Sequence, residues 1–164
     1  MLLWFAATSV LIVALVFDSP ALDYRMVMLG AVVPVLEGAV GGPWLLHTLT
    51  GAAAIFALVV VLTRGRRLAA RRAIGLPIGL LLHLVLDGTW LTSSLFWWPF
   101  GGGSPLGRGR IPEFEHVGQS VALEVVGLLI AVFVVRRYEL AQPEHRREFM
   151  RSGRLPRAVM KGRP

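Results

Sequence analysis

The stretch Gly79 to Gly88 reads G-L-L-L-H-L-V-L-D-G. In this nearly all-aliphatic run His83 and Asp87 stand four residues apart, which on a helix puts both on one face, about one turn from each other. An imidazole and a carboxylate are each costly to leave unpaired in apolar surroundings. They need each other, a polar group on another element, or a metal ion. Glu37, His47 and Glu124 also stand in or beside apolar segments, and His116 follows Glu113 and Glu115 in a polar loop. With no cysteine in the chain, ligands must come from histidine and carboxylates, a set that suits zinc, manganese or iron, with zinc or manganese preferred for hydrolysis. An ion in such a set polarises an ester or phosphoryl oxygen and acidifies water, while a carboxylate that is not a ligand acts as general base. The candidate ligands are His47, His83, Asp87, Glu37, His116 and Glu124, and the candidate catalytic carboxylates are Glu37 and Asp87. The alternative is a non-catalytic membrane protein in which the same residues are structural and tie helices together by hydrogen bonds.

The elements that must position these side chains are apolar helices. Of the 164 residues 55% are hydrophobic, and the mean hydropathy is +0.64, too apolar for an ordinary soluble domain. The sequence therefore predicts an all-α, polytopic membrane bundle of about five transmembrane segments. The first is Leu2 to Phe17, uncharged and ended by Asp18-Ser19-Pro20; with no basic residues before it, it reads as a retained helix and not a secretory signal. The second, Met26 to about Val40, contains Pro34 and ends in glycines, so it is read as kinked or partly re-entrant. The third is Leu45 to Thr63 with His47 in its first turn, the fourth Ala73 to about Leu91, and the fifth Ser120 to Val135 with Glu124 inside it. Gly75 and Gly79 in the fourth have the spacing that lets a neighbouring helix approach closely. Phe96, Trp97, Trp98 and Phe100 in the following loop read as an interfacial belt or the wall of a cleft.

Charge sets the orientation. The net charge is +7, and five arginines fall within Arg64 to Arg72. A short loop this basic belongs in the cytoplasm, and nine basic residues from Arg136 onward place the C-terminus there too. Two regions follow, an integral membrane domain over 1–137 and a basic cytoplasmic tail over 138–164 that is held near anionic lipid headgroups. Without aromatic interleaving or a recognition module, nucleic acid is not an expected partner. Threading the five segments from these anchors brings Glu37, His47, His83, Asp87 and Glu124 to the outer half of the membrane. Ionisable residues gathered at one depth are the mark of a functional site. Five segments without an internal repeat lack the paired halves of a transporter.

The pattern L-G-A-V-V-P-V-L-E-G, then H-T-L, then H-L-V-L-D-G-T-W, then F-W-W-P-F-G resembles the bacterial membrane-bound metal-dependent hydrolases, a family that includes the LexA-regulated inner-membrane hydrolases. The resemblance covers roughly Leu29 to Gly101. It implies that His47, His83 and Asp87 match family positions and that Glu37 stands where a family Asp stands. Val35 occupies the place of that motif's leading Asp, Gly38 replaces another acidic position, and no His precedes His47. The function this implies is hydrolysis of an ester or phosphoester, lipid-linked or otherwise membrane-delivered, at the outer face of the bacterial inner membrane.

Overall fold

A computed structural model of the chain describes residues 1–39, 42–91, 93–101 and 117–156. Among these residues all regular structure is helical. The helices are α1 (Leu2–Phe17), α2 (Tyr24–Val32), α3 (Val35–Ala39), α4 (Leu49–Leu62), α5 (Arg67–Ala73), α6 (Gly75–Leu86), α7 (Ser93–Phe96), α8 (Val117–Arg137) and α9 (Pro143–Ser152), with single 3₁₀ turns at Leu45–His47 and Thr89–Leu91.

Among the described residues two stretches are long and apolar enough to cross a membrane: Arg67–Leu86, where α5 runs on into α6, and α8. The apolar helices α1 and α4 are shorter, at 16 and 14 residues. The segment from Met26 onward is divided. Pro34 has no amide hydrogen and crowds the preceding turn, so α2 ends at Val32 and α3 restarts at Val35. The segment from Leu45 is divided as well: His47 lies in the 3₁₀ turn, and α4 begins only after Thr48, whose hydroxyl accepts from the Gly51 amide as an N-cap.

The centre of the bundle is the crossing of α2 and α6. It is close because both helices offer a glycine to it. A methyl group at Gly30 would collide with the Leu76 carbonyl, and one at Gly79 with the Val27 carbonyl. Where lipid surrounds a helix pair, this backbone approach supplies the packing that water would otherwise drive. On the other side, α1 packs against both α2 and α8. Val10, Val13 and Ala14 of α1 join Tyr24, Val27 and Val134 in the larger core.

The residues after Arg137 belong to that same core. Tyr138 and Leu155 are buried in it. The Tyr24 amide donates to the Gly153 carbonyl at 2.7 Å, and Arg25 Nη1 donates to the Met150 carbonyl at 2.6 Å. Asp23 holds Arg25 in place with a 2.8 Å ion pair. The carbonyl of Asp23 also lies against Gly75, at the start of α6. The connector after α1, the basic stretch leading into α6 and the segment after α8 thus share one end of the molecule. The expected tail is docked there over 138–156, and its remaining residues, 157–164, lie outside the described residues.

Candidate metal centre

His83 is set by the α2/α6 crossing. It sits one turn beyond Gly79, on the face of α6 turned toward α2, and is fully buried. Because α2 stops at Val32, the carbonyls of its last turn lack the usual partners within the helix. One of them, Ala31, accepts from His83 Nδ1 at 2.7 Å. A carbonyl oxygen only accepts, so Nδ1 carries the hydrogen and the lone pair of the neutral ring is on Nε2.

His47 is set by Glu37. The two oxygens of this buried carboxylate accept from the Trp44 amide at 2.8 Å, the Leu46 amide at 2.9 Å and His47 Nδ1 at 2.8 Å. One side chain therefore shapes the turn that carries His47 and fixes its ring. Here too Nδ1 is the donor, because a carboxylate oxygen accepts. A carboxylate behind a histidine is the common supporting partner of a metal-bound imidazole, fixing its tautomer and raising its basicity.

Asp87 caps the C-terminal end of α6 and is half-buried. The Thr89 hydroxyl donates to its Oδ2 at 2.5 Å. The ring centroids of His47 and His83 are 5.2 Å apart and nearly perpendicular. One ligand atom from each of His47, His83 and Asp87 lies within 4.8 Å of the others. Among the described residues, His47 Nε2 and Asp87 Oδ1 are buried without a hydrogen-bond partner, a costly arrangement unless something else occupies the space between them. On a third side Phe5 of α1 stacks against His83, ring centroids 4.2 Å apart, closing that flank with hydrocarbon.

The donor set fits a divalent cation. Two imidazoles held through Nδ1 and one carboxylate are a set of three protein ligands found in many catalytic zinc sites, which keep a fourth position open. His47, His83 and Asp87 come together as the sequence pattern suggests. Glu37 stands behind His47 instead of beside the ligand atoms, because the turn at residues 44–47 engages both its oxygens. Glu124 is elsewhere: its carboxylate accepts from the Leu3 and Trp4 amides and lies 3.9 Å from the Met1 ammonium group, so it caps the start of α1. Glu113, Glu115 and His116 lie outside the described residues.

Three contributors escape a sequence reading. The Ala31 carbonyl has no side-chain signature, although Pro34 three residues on is a signal that nearby carbonyls are released. Thr89 stands two residues after Asp87, a short-range hydroxyl–carboxylate spacing that is visible but common. Phe5 looks like any other core aromatic. The chain matches no protein-family model, no curated protein and no solved structure.

Proposed function

We propose that this chain is a membrane-embedded, metal-dependent hydrolase acting on an ester or phosphoester at the outer face of a bacterial inner membrane. The observation that carries the reading is the trio His47, His83 and Asp87, with ligand atoms within 4.8 Å of one another and both imidazoles oriented through Nδ1. A purely structural trio would satisfy its own polar atoms, whereas His47 Nε2 and Asp87 Oδ1 are buried without partners among the described residues.

A divalent ion held there, zinc or manganese by ligand type, would supply Lewis acidity toward a carbonyl or phosphoryl oxygen and would acidify water. The chain does the rest. His47, His83 and Asp87 would hold the ion. Glu37 and the Ala31 carbonyl fix the two tautomers, Thr89 turns Asp87, and Phe5 keeps water from one flank. Glu37, with three donors on its two oxygens, is a positioning residue in this scheme and not the general base.

The membrane setting is supported by α8, of whose apolar window only 11% is buried. Leu129 and Phe133 face outward at 63% and 53% exposure. Such an outward surface suits hydrocarbon surroundings. The arginine-rich segments gather at the end opposite the trio, and the positive-inside rule then turns the trio toward the outer leaflet. Near it Trp90, Leu91, Trp97 and Phe100 are exposed, an apolar rim that suits a lipid-linked substrate. The motif resemblance to membrane-bound metal-dependent hydrolases agrees with this class.

Elemental analysis of the detergent-solubilised chain is the deciding experiment. The expected result is roughly one zinc or manganese per chain, lost in His83→Ala and Asp87→Ala and kept in Glu148→Ala, with hydrolysis of an aryl ester or aryl phosphodiester lost in step with the metal. Absence of bound metal, together with thermal stability unchanged by chelator, would leave the trio a structural hydrogen-bond cluster.

A further inference from the structure

We infer that the groove between α1 and α8 is a binding site for one acyl chain of an anionic phospholipid from the cytoplasmic leaflet. The groove has a volume of about 170 Å³ and is lined by Ala6 and Val10 of α1, Ala131 and Val135 of α8, and Phe149 and Leu155 of the docked C-terminal segment, among other wholly apolar side chains. It is separate from the trio: Ala6 and Val10 flank α1 away from Phe5, the residue that touches His83.

Three observations fix the occupant. First, the groove offers no polar side chain, so it takes hydrocarbon and gives nothing to a peptide backbone or a sugar. Second, it opens along α8, the span whose apolar surface is almost wholly outward; Val135 on its rim is exposed. In the membrane reading on which this inference rests, the medium at that opening is lipid. Third, its inner end is closed by Phe149 and Leu155 within a cationic stretch. From Arg136 to Pro156 there are six arginines against three glutamates. Arg136 adjoins the lining residue Val135 in sequence and Arg154 adjoins Leu155, and guanidinium groups bind a phosphate bidentately and favour a net negative headgroup over a zwitterionic one. The groove is also the seam where the C-terminal segment meets α1, so an acyl chain in it would bind the docked form of that segment.

The test uses the full chain reconstituted in phosphatidylcholine vesicles containing spin-labelled phosphatidylglycerol, reading the motionally restricted lipid fraction. Ala131→Phe fills the groove, and Leu129→Phe adds the same ring on the lipid-facing side of α8 outside it. The expected result is a fall of about tenfold in phosphatidylglycerol affinity for the first, equivalent to displacing roughly two buried methylenes, and no change for the second. Ala6→Leu repeats the fill from α1, in case the phenyl ring disturbs folding. Arg136→Gln with Arg137→Gln is expected to remove the preference for phosphatidylglycerol over labelled phosphatidylcholine while leaving a restricted fraction. Equal restriction in both groove-filling variants and the unaltered chain overturns the site; equal affinity for both lipids in the unaltered chain overturns the headgroup assignment. A chain that does not enter vesicles overturns the membrane reading itself, which distinguishes that failure from failure of the groove.

Discussion

Glu37 Oε2 and His47 Nδ1 lie 2.8 Å apart, and through that bond a residue in a five-residue helix determines which nitrogen of His47 presents its lone pair. Glu37→Gln keeps an acceptor on the ring but loses charge and one pattern of acceptance from the Trp44 and Leu46 amides. Glu37→Ala loses everything. Metal affinity is expected to fall about 10- to 100-fold in Glu37→Ala, the usual cost of removing a supporting partner, and by less in Glu37→Gln. Isothermal titration with zinc checks this; equal affinity in all three proteins removes Glu37 from the site.

The glycine crossing controls a histidine it does not touch. Gly79→Leu drives α6 away from the Val27 carbonyl and stretches the His83–Ala31 bond one turn above. Stability is expected to fall by about 1–3 kcal/mol, as for overpacked sites, and metal affinity to fall with it. The informative comparison is Gly65→Ala, which meets nothing within 4 Å although its φ of 76° favours glycine: it perturbs its own turn and is expected to leave metal affinity unchanged.

A metal bound at this trio would link ion binding to folding. An ion that binds only the folded chain stabilises it by about 2.7 kcal/mol at one hundred times its dissociation constant, so thermal unfolding in detergent is expected to shift upward with added zinc and downward with chelator. The shift should vanish in Asp87→Asn. It should also shrink as the medium is acidified, because both imidazoles must be neutral to ligate. A zinc-dependent shift that persists in Asp87→Asn with His83→Ala would mean the ion binds elsewhere.

The clasp at the basic end gives a separate expectation. Arg25→Ala removes the bond to the Met150 carbonyl and leaves the Asp23 carboxylate without its guanidinium, held only by the backbone amide of residue 25. Loss of a charge-assisted bond of this kind costs about 1.5–3 kcal/mol, so limited trypsin digestion is expected to cut at Arg146, Arg147 and Arg151 sooner than in the unaltered chain. A reporter fused to the C-terminus is expected to be cytoplasmic. An external reporter would reverse the orientation argued from Arg64 to Arg72.

The sequence by itself determined the helical class, the clustering of basic residues in two blocks, and the nearness of His83 to Asp87 at one end of α6. These follow from local pattern: apolar runs, arginine clusters and a four-residue spacing, each readable without knowing what packs where. His47 was legible as a candidate by residue type alone. The role of Glu37 was not, because its carboxylate is engaged by two amides and an imidazole that come near it only when the chain turns between α3 and α4. Glu124 looked the same in sequence as Glu37, a lone carboxylate in an apolar segment, and folding sent it to the exposed amides at the start of α1. Tertiary structure also decided that the C-terminal segment docks and that the Ala31 carbonyl, left open where α2 stops at Val32, orients His83. The reason is common to all of these: a buried polar atom goes to whichever partner the packing brings within reach, and that partner is set by helix crossings whose distances no linear spacing records.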